Sequence, residues 1–165
     1  MSKAIAGIFE RGIDATAAVD ALVAKGVADN RISVLATEET AKKSLAVEKQ
    51  TKGAEGTAVG GGIGAAAGAI IAGLTAVGTL ATGGAGLVVA GPLVAAFTGA
   101  GAGAITGGVL GGLIGLGFTE HEVKHFEDAL DKGSVIVAVD TEDTDDEDTV
   151  KGILKDHNAK DVSSA

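Results

Sequence analysis

Gly56-Thr-Ala-Val-Gly60-Gly-Gly-Ile-Gly64-Ala-Ala-Ala-Gly68 and Gly99-Ala-Gly-Ala-Gly103-Ala-Ile-Thr-Gly107-Gly-Val-Leu-Gly111-Gly-Leu-Ile-Gly115 each repeat glycine at every fourth residue. Both series lie between Gly56 and Thr119, a stretch with no Asp, Glu, Lys, Arg or His that holds most of the chain's 27 glycines. A four-residue step turns a helix by about 400°, so each series draws a slowly drifting stripe along one helical face. Glycine costs about 1 kcal/mol per helical position relative to alanine, so the stripe must be offset by something that packs into its bare groove. Small residues at this spacing let two backbones approach closely. The pattern predicts an antiparallel glycine-zipper helical hairpin inserted over residues 55–118, with a turn built from Thr82, Gly83, Gly84, Gly86, Gly91 and Pro92. The expected helix-packing and oligomerisation positions are Gly56, Gly60, Gly64, Gly68, Gly99, Gly103, Gly107, Gly111 and Gly115.

The remainder of the 165 residues is enough for one ordinary domain. With no cysteine, disulfides, thiol chemistry and cysteine-ligated metals are excluded. Residues 1–30 lack a basic start followed by an apolar run, so a cleavable signal peptide is not expected. The formal charge of −9 arises wholly after the glycine-rich stretch. Without clustered Lys and Arg, and with only 4 Phe among the aromatics, nucleic acid is not an expected partner.

Before the stretch, Ala4–Phe9 reads as a buried strand. Ala15, Ala18, Val19, Leu22 and Val23 then fall at helical spacing, with Asp14 as N-cap and Gly26 as the C-terminal stop. Arg31–Thr37 alternates polar and apolar residues as a second strand. The polar, mixed-charge segment Thr37–Glu55 reads as a surface helix or linker, and its lysines Lys42, Lys43, Lys49 and Lys52 would suit anionic head groups. After the stretch, Thr119 and Glu122 form a capping box for a helix with the apolar stripe Val123, Phe126 and Leu130, ended by Gly133. Ser134–Asp140 is a strand, a helix covers roughly Asp145–His157, and a short strand lies around Asp161–Ser163. Superposing Val19 on Val150, Leu22 on Ile153, Val23 on Leu154 and Ala28 on Ala159 keeps one constant offset, so the two ends read as repeats. Two βαβ halves in one four-stranded antiparallel sheet, with helices on one face, make an α+β fold of ferredoxin-like type. Its expected extent is residues 1–54 and 119–165.

Taken with Asp14-Ala-Thr-Ala-Ala-Val-Asp-Ala-Leu, Ile32-Ser-Val-Leu, Ala90-Gly-Pro-Leu-Val-Ala-Ala, Gly115-Leu-Gly-Phe-Thr-Glu-His-Glu-Val-Lys-His-Phe-Glu and Lys132-Gly-Ser-Val-Ile-Val-Ala-Val, this order resembles the bacterial general stress protein family of the seventeen-M type. The resemblance runs from about residue 4 to residue 162 and is most specific over Thr119–Phe126. It implies a stress-induced protein with a membrane-like glycine-rich hairpin and neither an established reaction nor a cofactor. The chain departs from the family at Thr82-Gly-Gly-Ala-Gly, where a proline-bearing turn is usual.

His121-Glu-Val-Lys-His125 matches the helical H-E-x-x-H pattern in which two histidines bind zinc and the glutamate acts as base. Lys124 among the ligands, the lack of a third ligand at a recognisable spacing, and the capping role of Glu122 all argue against it. A zinc protein using His121, Glu122 and His125 is therefore a distant alternative, and the histidine pair is at most a weak metal candidate. The acidic run Asp140–Asp148 lacks the central glycine and terminal glutamate of an EF-hand loop, and suits the start of the following helix instead. Gly60–Gly68 has neither a preceding strand nor a Lys-Ser or Lys-Thr pair, so it is not a phosphate loop.

These readings predict a non-enzymatic homo-oligomer without cofactor or small-molecule substrate. Two uncharged arms of about 25 residues could each reach across a core of ~30 Å. The expected location is the cytoplasmic face of the inner membrane with the hairpin inserted, and the alternative is a soluble self-assembling scaffold in the cytoplasm.

Overall fold

The computed structural model describes residues 3–37, 39–40, 43, 87–90, 113–115, 117–141 and 144–165. Strand β1 (Lys3–Phe9) leads to helix α1 (Gly12–Ala24), a single 3-10 turn (Asp29–Arg31) and β2 (Ile32–Thr37). Next come β3 (Leu87–Ala90), α2 (Glu120–Asp131), β4 (Val135–Thr141), α3 (Thr144–Asp156) and β5 (Asp161–Ser164). The strands form one antiparallel sheet in the order β3-β2-β4-β1-β5, an α+β architecture.

Both faces of the sheet are covered. Ile5 and Phe9 of β1 and Val135, Val137 and Val139 of β4 meet Ala15, Ala18, Val19 and Leu22 of α1 and Val150, Ile153 and Leu154 of α3. The alternate residues Ala4, Ala6, Ile8, Ile136 and Ala138 meet Leu113, Phe118 and the α2 residues Val123, Phe126 and Leu130. The expectation of helices on one face is corrected here for α2. Its reason is the uninterrupted apolar run Val135–Val139, since a strand apolar on both sides needs cover on both sides. For the same reason Ile32–Ala36 is buried throughout rather than alternating.

The helices end alike. Gly26 at φ +94°, Gly133 at φ +89° and Asn158 at φ +67° each follow a helix in the left-handed conformation. In each case the next amide reaches back five residues: Val27 to the Leu22 carbonyl, Ser134 to Ala129 and Ala159 to Leu154. The preceding amide closes the shorter ring, giving three Schellman motifs. Gly117 and Phe118 close on Ile114 and Leu113 in the same way. These ends show that Gly26 corresponds to Asn158 and Leu22 to Leu154, so the repeat is displaced by one residue from the superposition expected from the apolar pattern.

Two further expectations are corrected. Asp14 lies in the first turn of α1 rather than at its N-cap, which is Arg11; the guanidinium of Arg11 donates to both Asp14 carboxylate oxygens at 2.7 Å. Within residues 55–118, the expected helical hairpin has its turn at Thr82 to Pro92, yet Leu87–Ala90 in that turn is a strand of the sheet, paired with β2 through Thr37↔Leu87 to Val34↔Ala90. Two β-branched valines between Gly86 and Gly91-Pro92 suit a short strand, and pairing satisfies backbone groups along an edge of β2. Leu113, also within that range, is only 1 % exposed in the α2-side core. Of the expected zipper positions, Gly56 to Gly111 lie outside the described residues.

Candidate functional site

The H-E-x-x-H segment begins α2, and each polar side chain there has a local reason for its place. Thr119 is the N-cap, its hydroxyl oxygen accepting from the Glu122 amide at 3.4 Å. Glu122 Oε2 accepts in return from the Thr119 amide at 2.9 Å and from the Thr119 hydroxyl at 2.8 Å. These bonds hold the Glu122 carboxyl below its ordinary value, the backbone amide most strongly and the hydroxyl next; partial burial opposes them, and Ser163 and His121 add smaller effects in the same direction as the bonds. A carboxylate held this way is a weakened general base, because its affinity for a proton is lowered and Oε2 already accepts two hydrogen bonds.

His125 points elsewhere. Its Nε2 lies 3.1 Å from Asp161 Oδ2 at the start of β5, with both side chains about half exposed. Together with Glu122 and Ser163, this pair ties the first turns of α2 to the outer strand of the sheet. Among the described residues, no group of three or more His, Cys, Asp and Glu is placed to hold a metal ion. Sequence order could not bring Asp161 or Ser163 to this helix, because the contact depends on β5 pairing with β1.

The capping box supplies a measurable effect. Thr119→Ala is expected to cost about 1 kcal/mol. The contribution of Glu122 has a definite pH sign: a carboxyl lowered in the folded state stabilises fully above its ordinary value of 4.5 and loses that effect as the pH falls through the lower folded value. Urea unfolding of the parent and of Glu122→Ala should therefore differ at about pH 6 and converge towards about pH 3. A gap that stayed constant over this range would mean the charge of Glu122 is not part of the cap.

The acidic run behaves as helix-start charge. Thr144 begins α3 within it, and Asp146 sits 3.6 Å from the guanidinium of Arg31. Arg31 also donates through Nε to the Asp140 carbonyl at 2.7 Å. One arginine thus joins the entry of β2, the exit of β4 and the first turn of α3, a role that no local motif signals. Arg31 and Asp146 border a solvent-open cavity of about 70 Å³ that Lys25, Thr141 and Thr149 also line.

No family model, curated protein or solved structure matches the chain. Among the described residues, no helix is long and apolar enough to cross a membrane. The last zipper position, Gly115, is exposed, and among the described residues nothing lies within 4 Å of where its Cβ would stand. Its neighbour Ile114 is 44 % exposed, one of two large apolar side chains open to solvent among the described residues.

Proposed function

We propose that this chain is a non-enzymatic, self-assembling protein in which an α+β platform of ferredoxin-like type carries a glycine-zipper insertion at a lipid surface. The platform reading rests on the order β2-β4-β1-β5, antiparallel throughout, with α1 and α3 on one face. Resemblance to the bacterial general stress protein family supports a role in stress and a place at the cytoplasmic face of the inner membrane.

One observation carries the assembly reading: the stripe ends in the open, at Gly115 beside the exposed Ile114. Small residues repeated every fourth position suit close helix contact, and the surrounding stretch has no charge to keep it in water. Gly103→Leu and Gly107→Leu should block that contact. Light scattering of the parent, in buffer and in mild detergent, is expected to give a multiple of 16.0 kDa, and the leucine variants a smaller mass. A parent that is monomeric in both media would refute self-assembly, and an assembly unchanged by the leucines would exclude the stripe from the contact. A parent that assembles in buffer and ignores lipid would favour the soluble scaffold.

A further inference from the structure

We infer that the glycine-rich insertion meets lipid from one side only and that neither of its arms crosses a bilayer. The inference rests on the lipid-surface reading above and deepens it. Its basis is β3, because Leu87 pairs with Thr37 and Ala90 with Val34. The first glycine series therefore belongs to a connection that leaves the sheet at Thr37 and returns directly opposite, at Leu87. The second begins after Ala90 and is back in the core at Leu113, which is buried among Leu35, Phe118 and Val123. Each series is thus held at both ends by one small body. A hairpin that crosses the bilayer needs its tip on the far side, but the segment expected at the tip is a strand of the platform.

Length gives the same answer. A connection that crosses and comes back must cover the ~30 Å hydrocarbon core twice, about 60 Å in all. Backbone crossing the hydrocarbon core must be helical, and as helix the uncharged part of the first connection, Gly56–Gly86, would reach about 46 Å and residues 91–112 about 33 Å. The rest of the first connection contains Glu38, Glu39, Lys42, Lys43, Glu48, Lys49, Lys52 and Glu55, which are expensive to place at the bilayer centre. Both segments are long enough to lie in the interface or to enter and leave one leaflet.

The absence of cysteine makes the test direct. Ala36→Cys with Val88→Cys replaces facing residues of β2 and β3, and Ala6→Cys with Ser163→Cys replaces facing residues of β1 and β5 as a control. Facing strand residues lie within the Cα range a disulfide bridges. Each full-length variant is bound to sealed vesicles of phosphatidylglycerol and phosphatidylethanolamine, floated, and oxidised. In parallel, single variants Gly84→Cys and Asp131→Cys are exposed to an impermeant maleimide trapped in the vesicle lumen. Both disulfide pairs are expected to form on the vesicles, and the luminal reagent to label neither single cysteine. Luminal labelling of Gly84→Cys, or loss of the β2–β3 disulfide on vesicles while the control pair forms, would overturn the inference. Protein that does not float would refute the lipid-surface reading instead, and the β2–β3 disulfide in buffer would still decide where Leu87–Ala90 lies.

Discussion

Phe126→Ala is expected to remove about 3–5 kcal/mol of folding stability, measured by urea unfolding of the full chain. Phe126 is 1 % exposed and meets Phe118 edge to face, with ring centres 5.4 Å apart and planes at 85°. Both rings lie in the close-packed core beneath α2, with Ala4, Ala6 and Ala138 beside the larger Ile8, Leu35, Leu113 and Ile136, so truncation leaves a cavity that the surroundings fill only in part. Against a total stability of about 5–15 kcal/mol for a domain, such a loss takes a substantial part of the folding margin. The double variant Phe118→Ala with Phe126→Ala should cost less than the two single variants added together, because either truncation alone already removes the about 0.5–1.5 kcal/mol that the ring pair shares. A change below about 1 kcal/mol for Phe126→Ala would mean that the α2 face of the sheet is not a packed core.

On the opposite face, the second large effect falls at a residue with no side chain. Gly7 lies between Ile5 and Phe9 on the side of β1 that meets α3, and a Cβ there would stand 3.3 Å from Leu154 Cδ1 and 3.4 Å from the Ala159 Cβ. The nearest atom is the end of a leucine that can move by a few tenths of an ångström, so Gly7→Ala should be close to neutral. The branched side chain of Gly7→Val has no such space, and overpacking of this kind costs about 1–3 kcal/mol. Thermal melts of both variants separate the two cases. If valine were as well tolerated as alanine, α3 could not be seated on β1 at this distance.

The helices were legible where a local signal fixes a local geometry. Gly26 and Gly133 end α1 and α2 because the left-handed residue at a Schellman closure favours glycine, and Thr119 with Glu122 starts α2 because both partners lie within one turn. What stayed hidden depends on distant partners or on competing signals. Asp14 has the right chemistry for an N-cap, but an arginine three residues earlier takes both its oxygens. The strand at Leu87–Ala90 was hidden by the regular glycines on either side, whose period outweighs two valines. The side of the sheet that α2 covers is not written in α2 at all, since its apolar stripe would serve on either face. At the candidate site, the capping role of Glu122 could be read from the sequence, whereas the contacts of His125 with Asp161 and of Arg31 with Asp146 required the fold.

The position of β1 in the sheet also sets a timetable for the chain during synthesis. Both neighbours of β1 come from the far end of the sequence: β4 from Val135–Thr141 and β5 from Asp161–Ser164. The ribosome must therefore release the entire uncharged stretch before the first strand can find either partner. At about 5–20 residues per second, residues 56–119 emerge over several seconds and wait beside an unpaired β1. Pairing over such sequence separations is intrinsically slow, because a long loop must close before any contact rewards it. The nascent chain is thus most vulnerable to premature association through its glycine-rich segment before the platform that anchors that segment exists, which makes early engagement by a chaperone or a lipid surface kinetically valuable.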